Sequence, residues 1–386
     1  MDQEMDQQMD QQMDQEFSEF LRQGALISDP GGGLHLGWGF LGSFAHPKQA
    51  RAQGAQAIFY APDFFLREPL PWLGFRFHQK VELSEFRDRL QGAGARATKG
   101  QERQGAGSPW QEPELSGFAQ DFARAKAMIA EQQASKLVPI TFARRSHCPT
   151  VEERRAWLLN LSSQLGPAWL YGFWLDAPAN EGLLGLTPEL LLSLEPKGQL
   201  QTMALAGTER PQGPSLLTDP KQWAEHQWVV RDICERLGGA SQVRELESGQ
   251  TYEWQMPQIK HLRTDIRAEL KESFWEEDKG FQSLVELLHP TAALGSFPRE
   301  ALTPWTEQAS TEQLDRGRFG APFGFYQGPE SGPSWAVVAI RNVQWADGVL
   351  RLGSGCGVVE ESQLEGEWQE LALKRSVVLR GLNNEC

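Results

Sequence analysis

The sequence has few cysteines and no long apolar run. Its four cysteines, Cys148, Cys234, Cys356 and Cys386, form no CxxC pair or other metal-ligand spacing, which is typical of a protein in a reducing compartment. No apolar stretch approaches the length of a membrane span, and the amino terminus is acidic where a signal peptide would be basic. We therefore predict a cytoplasmic protein without a membrane partner.

Positive charge is also scarce. The 386 residues include 37 lysines and arginines against 51 aspartates and glutamates, for a formal net charge of -14. A field of this sign repels nucleic acid and anionic membrane surfaces, so we expect neither as a partner. An anionic substrate would therefore need a local basic pocket or a metal ion.

The remaining composition is that of a folded protein with two irregular segments. With 40% apolar residues, the chain is long enough for two domains or for one large two-layer body. Residues 1–16 read MDQEMDQQMDQQMDQE, and their methionines bury too little surface to order them, which predicts a low-complexity acidic tail with fluctuating helix. The alternative is an extension of the helix that begins at Phe17. Residues 92–114 carry Gly, Ser, Pro and charge without periodicity, which predicts a mobile connection.

Apolar spacing predicts the elements between these segments. Short apolar runs broken by Gly and Pro favour antiparallel strands across residues 25–85. Further strands are predicted at residues 136–144, 168–175, 183–186, 258–262, 334–345 and 349–355. Helices are predicted at residues 85–91, 115–133, 151–165, 220–237 and 280–288.

The stretch Gly353–Lys374 has the strongest chemical pattern. Its first five residues alternate glycine with small side chains, so the backbone can approach a ligand closely. A helical pattern follows, in which Glu367, Glu370 and Lys374 share one face. Carboxylates and an ammonium aimed in one direction suit a small anionic ligand held through a divalent cation such as Mg²⁺. The alternative is an ordinary surface ion pair between Glu370 and Lys374.

A predicted hairpin encloses a second carboxyl group. The segment Glu195–Gly198 has Pro and Gly at the positions that favour a turn. Folding the flanking strands back on this turn sets Glu189 roughly opposite Ala204, beside Leu205–Thr208. Leucines around such a carboxyl would desolvate it, raise its pKa and keep it protonated as a general acid. The alternative is a glutamate that faces water at a strand edge.

Other candidate residues lie on a second hairpin, a helix and a loop. Pairing the strands on either side of the Asp347-Gly348 turn sets Arg341 near the glycine-rich stretch, where a guanidinium can capture a carboxylate. Glu225 lies in the first turns of the helix that Asp219-Pro220 opens, and a solvated helix face is its commoner alternative. His289 stands beside a proline, where a structural histidine is the alternative.

Together these segments resemble the chorismate-utilising enzymes, a family that includes isochorismate synthase, salicylate synthase and anthranilate synthase. The matching motifs follow the family order between residues 136 and 380. They are ALAGT (204–208), WAEH (223–226), LHPTAALGSFPR (288–299), VVAIR (337–341) and Gly353–Lys374. The resemblance implies an α+β or α/β fold of two stacked, mainly antiparallel β-sheets with helices outside and the active site between the layers. It also implies one domain over residues 17–386, with a variable half (17–114) and a motif-bearing half (115–386).

Within the family, the chain is most similar to isochorismate synthase. Residues 225–232 resemble that branch, and the Val-Asp-Leu-x-Arg-Asn-Asp run of the ammonia-using branch is absent. The resemblance implies Mg²⁺-dependent conversion of chorismate to isochorismate for menaquinone or siderophore biosynthesis. It implies no glutamine amidotransferase partner, and we expect a monomer or weak dimer. The alternatives are salicylate synthase, which also eliminates pyruvate, and a degenerate chorismate binder.

The family pattern implies a role for each site residue. Those implied to hold Mg²⁺ are Glu225, Glu367 and Glu370. Those implied to bind substrate are Leu205, Ala206, Gly207, Thr208, His289, Arg341, Gly355, Gly357 and Lys374. Lys136 is implied to be the base that activates water for attack at C2, and Glu189 the acid that protonates the departing 4-hydroxyl.

The sequence offers two positions for the base. The family strand carries its lysine five residues before an arginine, whereas Lys136 lies eight residues before Arg144. A strict count from Arg144 puts Pro139 in the lysine's place. We assign the role to Lys136; if Pro139 is the equivalent, the water base is missing and the activity is lost or changed.

Overall fold

The computed structural model describes residues 13–97, 108–176, 179–271, 280–329 and 331–383. Its helices are α1 (residues 13–22), α2 (Pro47–Ala52), α3 (Leu83–Ala97), α4 (Leu115–Ala130), α5 (Val151–Ser163), α6 (Pro220–Gly239), α7 (Gly280–Leu288), α8 (Leu302–Gln308), α9 (Thr311–Leu314) and α10 (Leu364–Asn383). Its strands are β1 (Gly24–Ser28), β2 (Leu34–Phe44), β3 (Ala57–Tyr60), β4 (Trp72–Val81), β5 (Lys136–Leu137), β6 (Ile140–Ser146), β7 (Trp169–Leu175), β8 (Glu181–Thr187), β9 (Leu190–Leu194), β10 (Gln199–Glu209), β11 (Val243–Ser248), β12 (Tyr252–Gln255), β13 (Lys260–Leu270), β14 (Ser296–Phe297), β15 (Pro322–Phe325), β16 (Ser334–Val338), β17 (Asn342–Ala346) and β18 (Val349–Gly355).

Most of these strands form one continuous antiparallel sheet of 16 strands. Their order is β11-β13-β10-β9-β16-β15-β3-β4-β2-β1-β7-β8-β17-β18-β6, and β12 pairs separately with β13. β5 and β14 form a two-stranded sheet of their own. The strands that carry the sequence motifs, β10 and β18, therefore lie in opposite parts of the large sheet.

The continuous sheet folds back on itself to form two packed layers. The ring of Phe323 on β15 lies 5.5 Å from the ring of Tyr171 and stacks 6.3 Å from that of Phe173, both on β7. In the sheet order, β3, β4, β2 and β1 separate these two strands, so the contact joins the two layers. The indole of Trp335 also donates across the layers to the carbonyl of Ser28, at 3.0 Å. The antiparallel α+β prediction is confirmed, and the two predicted sheets are layers of one sheet.

Helices cover the outer faces of both layers. On one side, Val229 and Ile233 of α6 and Leu284 of α7 are buried in one cluster with side chains of β9, β10 and β13. On the other side, Leu158 of α5 and Val378 of α10 are buried against β7, β8, β17 and β18. Each helix buries one apolar stripe in this way, which is the main source of stability for helices of this length.

Some predicted elements differ from the structure. The predicted connection is wrong for residues 92–97, which complete α3. The predicted strand at 334–345 is broken, because Arg341 has a left-handed φ of 55° between β16 and β17. β11 and β12 were not predicted, since their short polar sequences lack a buried face. Residues 13–16 of the predicted tail are helical, whereas 1–12 and 98–107 lie outside the described residues.

The structure also describes the state of the cysteines and the character of the helices with respect to a membrane. Cys148, Cys234 and Cys356 are free thiols, and Cys386 lies outside the described residues. Among the helices that the structure describes, none has both the length and the apolar character needed to cross a membrane.

Candidate active site

A cleft lies between the end of β10 with α6 on one side and β18 with α10 on the other. Most of the predicted site residues line it: Glu189, Leu205, Ala206, Gly207, Thr208, Glu225, Arg341, Gly355, Gly357 and Lys374. Its lining also includes Pro188, His261, Phe319 and Ile340, for which no role was predicted. The two motif-bearing parts of the sheet therefore meet at one cavity.

Glu189 enters the cleft from the link between β8 and β9. The register of β9 against β10 puts it beside Leu205, one residue from the predicted Ala204. It is 3% exposed. Burial raises the pKa of Glu189 to about 8, although the ammonium groups of Lys136 and Lys374 oppose the rise. A carboxyl with this pKa is protonated at neutral pH and can donate a proton.

Lys136 reaches the site because β5 runs beside the end of the glycine-rich stretch. Leu137 forms an isolated bridge with Val358, and Lys136 itself is 0% exposed. Its Nζ lies 3.2 Å from Oε1 of Glu225, and burial lowers its pKa while Glu225 opposes the change. Gly357 leaves the necessary room, because a Cβ there would lie 2.6 Å from Cε of Lys136.

Pro139, the alternative base position, lies in the gap between β5 and β6. Neither Pro139 nor Lys136 is among the residues that line the cleft, but Lys136 contacts the lining residue Glu225. Its carbonyl accepts a hydrogen bond from the Cys356 amide at 3.3 Å, which helps to hold the glycine-rich stretch. The structure thus brings Lys136, and not Pro139, to the carboxylates of the site.

Arg341 is held in the cleft by an unusual backbone. Its φ of 55° is rare for a residue with a side chain. The neighbouring Asn342 Nδ2 donates to the hydroxyl of Tyr171 at 2.7 Å, and that hydroxyl donates to the Ile340 carbonyl at 2.8 Å. Nη1 of Arg341 is buried and makes no hydrogen bond within the described residues. Burial lowers its pKa only to about 10, so the guanidinium stays charged and ready for an anion.

Three predicted carboxylates converge on the ammonium of Lys221, a residue that was not predicted. Its Nζ lies 3.0 Å from Oε1 of Glu367 and 3.3 Å from Oε2 of Glu225. Oε2 of Glu370 lies 3.5 Å away. The i, i+4 spacing of Lys221 and Glu225 on α6 could have indicated an ion pair between them. The contacts of Lys221 with α10 depend on the tertiary structure and could not be predicted from this spacing.

The carboxylates form a suitable donor set for a hard divalent cation. Within the described residues, no three or more His, Cys, Asp and Glu side chains already have the geometry of a metal site. The oxygens of Glu225, Glu367 and Glu370 nevertheless surround one point, and a positive charge already lies there. Carboxylate oxygens are the ligands that Mg²⁺ prefers. These residues therefore fit the predicted ion if Lys221 moves aside.

Lys374 connects the carboxylates to the glycine-rich stretch. Its Nζ lies 2.7 Å from Oε1 of Glu370 and donates to the Gly355 carbonyl at 2.8 Å. Burial alone would raise the pKa of Glu370, but Lys374 and Lys221 outweigh it and hold that pKa below its ordinary value. The i, i+4 pair exists, but both side chains are largely buried, so it is not an ordinary surface pair.

The segment Leu205–Thr208 is fastened to α6. Gly207 has a φ of +75°, and the Thr208 amide donates to Oε1 of Gln222 at 3.1 Å. Asp219 caps α6 by accepting from the Gln222 amide at 3.0 Å, as the Asp-Pro signal predicted. This arrangement fixes where Glu225 leaves the helix.

His261 of β13 is a cleft residue without a predicted role. Its Nδ1 lies 2.7 Å from the Gly207 carbonyl, and burial lowers its pKa to about 3. The ring is therefore neutral, with the proton on Nδ1. Nε2 is buried without a hydrogen-bond partner in the described part of the chain, so it can accept a hydrogen bond from a ligand. A single histidine in a predicted strand carried no signal for this.

His289 was predicted to bind substrate, but the structure directs its ring toward Phe64 and away from the cleft lining. Its Nε2 donates to the Phe64 carbonyl at 2.7 Å, and its ring packs against that of Phe64. It does not line the cleft, and burial lowers its pKa to about 3. The loop position turns the imidazole into the core, where a neutral ring can satisfy a backbone carbonyl.

Sequence comparison places the chain in a family. It belongs to the chorismate binding enzymes, whose pattern matches residues 6–383. One relative is the salicylate biosynthesis isochorismate synthase of Pseudomonas aeruginosa, 33% identical over 53% of this chain and 42% of that protein. Another is the isochorismate synthase EntC of Escherichia coli, 30% identical over 69% of this chain and 67% of that protein. The chain thus spans less than half of the Pseudomonas relative.

The fold agrees with this family. The structure matches that of MenF, the menaquinone-specific isochorismate synthase from Escherichia coli, with a TM-score of 0.73 and 21% identity. The match covers 95% of this chain and 90% of that chain. At this identity it establishes the fold alone.

Proposed function

We propose that this protein is an isochorismate synthase that uses Mg²⁺. The observation that carries the proposal is a pair of buried groups, Glu189 in the lining of the cleft and Lys136 behind the lining residue Glu225, which form no ion pair with each other in the described structure. Lys136 pairs instead with Glu225 at 3.2 Å. A base and an acid that act on opposite faces of a ring must be kept apart in this way.

The reaction needs one proton accepted and one proton donated. Lys136, in its neutral form, takes a proton from a water whose oxygen bonds to ring carbon C2 of chorismate. The ring double bonds shift, and the C4–O bond breaks. Glu189 donates its proton to the departing 4-hydroxyl oxygen, which leaves as water. The pKa of Glu189, about 8 because of burial, keeps the donor protonated at neutral pH.

The cleft also has groups that suit a dicarboxylate. The Arg341 guanidinium has a buried nitrogen without a hydrogen-bond partner among the described residues, and its fixed fork of donors matches a carboxylate. The ammonium of Lys374 lies close by, on the Gly355 carbonyl. His261 Nε2 offers an acceptor for a hydroxyl group. We propose that these residues orient chorismate between Lys136 and Glu189.

Glu225, Glu367 and Glu370 are proposed to hold Mg²⁺. A bound Mg²⁺ would neutralise a substrate carboxylate and help to fix its position. This answers the need for local positive charge in a chain with a net charge of -14.

The names of the relatives support the reaction and suggest its use. They are isochorismate synthases, one for salicylate biosynthesis and one specific to menaquinone. We propose menaquinone or siderophore biosynthesis as the use of the product. Water is the proposed nucleophile, so we expect no glutamine amidotransferase partner.

Product analysis tests the proposal. The purified protein is incubated with chorismate and Mg²⁺, and the products are separated by chromatography. We expect isochorismate without pyruvate, and no conversion in the presence of a chelator. Pyruvate and salicylate would instead identify a salicylate synthase. Unchanged chorismate under all conditions would favour the degenerate binder.

A further inference from the structure

We propose that Lys221 is a built-in cation that occupies the divalent-ion position of the free protein and must leave when Mg²⁺ binds. The inference rests on the proposed Mg²⁺ site, which it deepens by naming the group that competes with the metal. Lys221 was not among the residues implied by the sequence, and its contacts cross from α6 to α10.

The geometry makes the two cations mutually exclusive. Lys221 Nζ lies within 3.0 to 3.5 Å of oxygens from all three carboxylates. Mg²⁺ bound to those oxygens at its usual distance of about 2.1 Å would overlap the ammonium or lie in contact with it. Two positive charges that close together in a buried site repel each other strongly. The carboxylates therefore hold one cation or the other.

Lys221 is placed so that its side chain can move from the carboxylate cluster to solvent. It is the second residue of α6, at the end of the helix, and its side chain is 16% exposed, whereas the carboxylate side chains are 3 to 9% exposed. Its long flexible stem can swing toward solvent without a change in the backbone. Lys136 cannot do the same, because its side chain is 0% exposed.

Formal charge gives a reason for such an arrangement. The acidic groups at the cleft are matched one for one by basic groups. The charged groups are Glu225, Glu367 and Glu370 against Lys221, Lys374 and Arg341, because Glu189 is protonated and the proposed reaction starts from neutral Lys136. When Lys221 leaves and Mg²⁺ enters, the cluster gains one positive charge, which an anionic substrate offsets. We therefore expect metal and substrate to bind cooperatively, with Lys221 as the group that disfavours metal alone.

The test is Mg²⁺ binding without substrate, measured by calorimetry. Lys221→Met keeps the length of the side chain and removes its charge, and we expect it to bind Mg²⁺ at least about tenfold more tightly than wild type. Lys221→Arg keeps the charge and is expected to bind no more tightly than wild type. Lys197→Met, on the exposed turn between β9 and β10, is the matched control and should equal wild type.

The outcomes separate this inference from the function on which it rests. If wild type binds Mg²⁺ and Lys221→Met binds it equally or more weakly, the role of Lys221 is wrong and the metal site stands. If none of the proteins binds Mg²⁺, even with chorismate present, the metal site is wrong and this inference falls with it.

A structure of the wild-type protein with Mg²⁺ gives a second test that does not depend on how the variants fold. We expect Nζ of Lys221 outside the carboxylate cluster and the ion inside it. An ion bound to Glu225 and Glu370 with Lys221 unmoved would overturn the proposal.

Discussion

Two glutamates of the same cleft differ in their protonation although both are enclosed. Glu189 lies beside Leu205 and Pro188, and burial raises its pKa to about 8. Glu370 is also buried, but Lys374 lies 2.7 Å from it, and its pKa is held below the ordinary value. The comparison shows that nearby positive charge can outweigh burial in setting the pKa of an enclosed glutamate.

This contrast divides the cleft into two chemical halves. The half with Glu189 can deliver a proton, because its carboxyl is neutral near pH 7. The half with Glu370 can hold a cation, because nearby lysines lower the pKa values of Glu225 and Glu370 and three carboxylates converge there. Substitutions in the two halves should therefore change the activity in different ways.

The largest effect is expected in the cation-holding half. Glu370→Ala removes one proposed metal ligand and leaves Lys374 without its partner at 2.7 Å. We expect turnover to fall by about 10³-fold or more, because a bound cation supplies several kcal/mol of charge stabilisation. Steady-state kinetics over a range of Mg²⁺ concentrations measures the loss. Glu365→Ala, on the exposed face of the same helix, should keep wild-type turnover, and so would Glu370→Ala if the assignment were wrong.

The next effect concerns the base. Lys136→Ala is expected to lower kcat by about 10²–10⁴-fold with little change in the KM for chorismate, because the group moves a proton and does not hold a carboxylate. Single-turnover kinetics separates binding from chemistry. Wild-type turnover in this variant would show that a residue other than Lys136 is the base. Lys197→Ala, on an exposed turn, controls for the loss of a lysine.

The proton-donating half should respond to pH. Turnover should fall as pH rises through about 8, since Glu189 then loses its proton despite the opposing pull of Lys136 and Lys374. Glu189→Gln should lower kcat by about 10²–10⁴-fold. The residual rate of this variant should not show the decrease near pH 8. A pH–rate profile of both proteins measures this. If the variant shows the same decrease in rate near pH 8, a group other than Glu189 causes it.

The same carboxyl should affect stability. Because the folded protein holds the Glu189 proton up to about pH 8 and the unfolded chain loses it near the ordinary value of 4.5, the native state binds more protons within this window. Glu189 therefore reduces the free energy of unfolding as pH rises from about 4.5 to 8. Thermal unfolding should show Glu189→Gln gaining stability relative to wild type across that range, and a constant difference would contradict the assignment.

The smallest effect is expected from the support of Arg341. Tyr171→Phe removes the hydroxyl that joins Asn342 to the Ile340 carbonyl. A lost hydrogen bond of about 1 kcal/mol should raise the KM for chorismate about fivefold and leave kcat nearly unchanged. Tyr252→Phe, which loses a hydroxyl contact with Asp265 at 3.1 Å on the surface, is the control. Equal KM values in both variants would show that Tyr171 does not position Arg341.

Much of the fold could be predicted from local patterns. The α6 helix begins at Pro220 after its Asp219 cap, and the Asp347-Gly348 turn pairs Ala346 with Val349 as expected. Turn and cap residues act over a few positions, so their consequences are visible in the sequence. The closing of the sheet into two layers is not visible in this way, because it depends on contacts such as Phe323 on Tyr171 between distant strands.

For the site, the sequence by itself determined which residue types and motifs are present: the carboxylates, Lys136, Arg341 and the glycine-rich stretch. Only the tertiary structure decided that His289 turns into the core, that His261 lines the cleft and that Lys221 stands among the carboxylates. It also decided the opposite pKa shifts of Glu189 and Glu370. Sequence spacing specifies neighbours along one element, whereas the field at a buried group is the sum over charges and apolar surfaces that separate elements bring together.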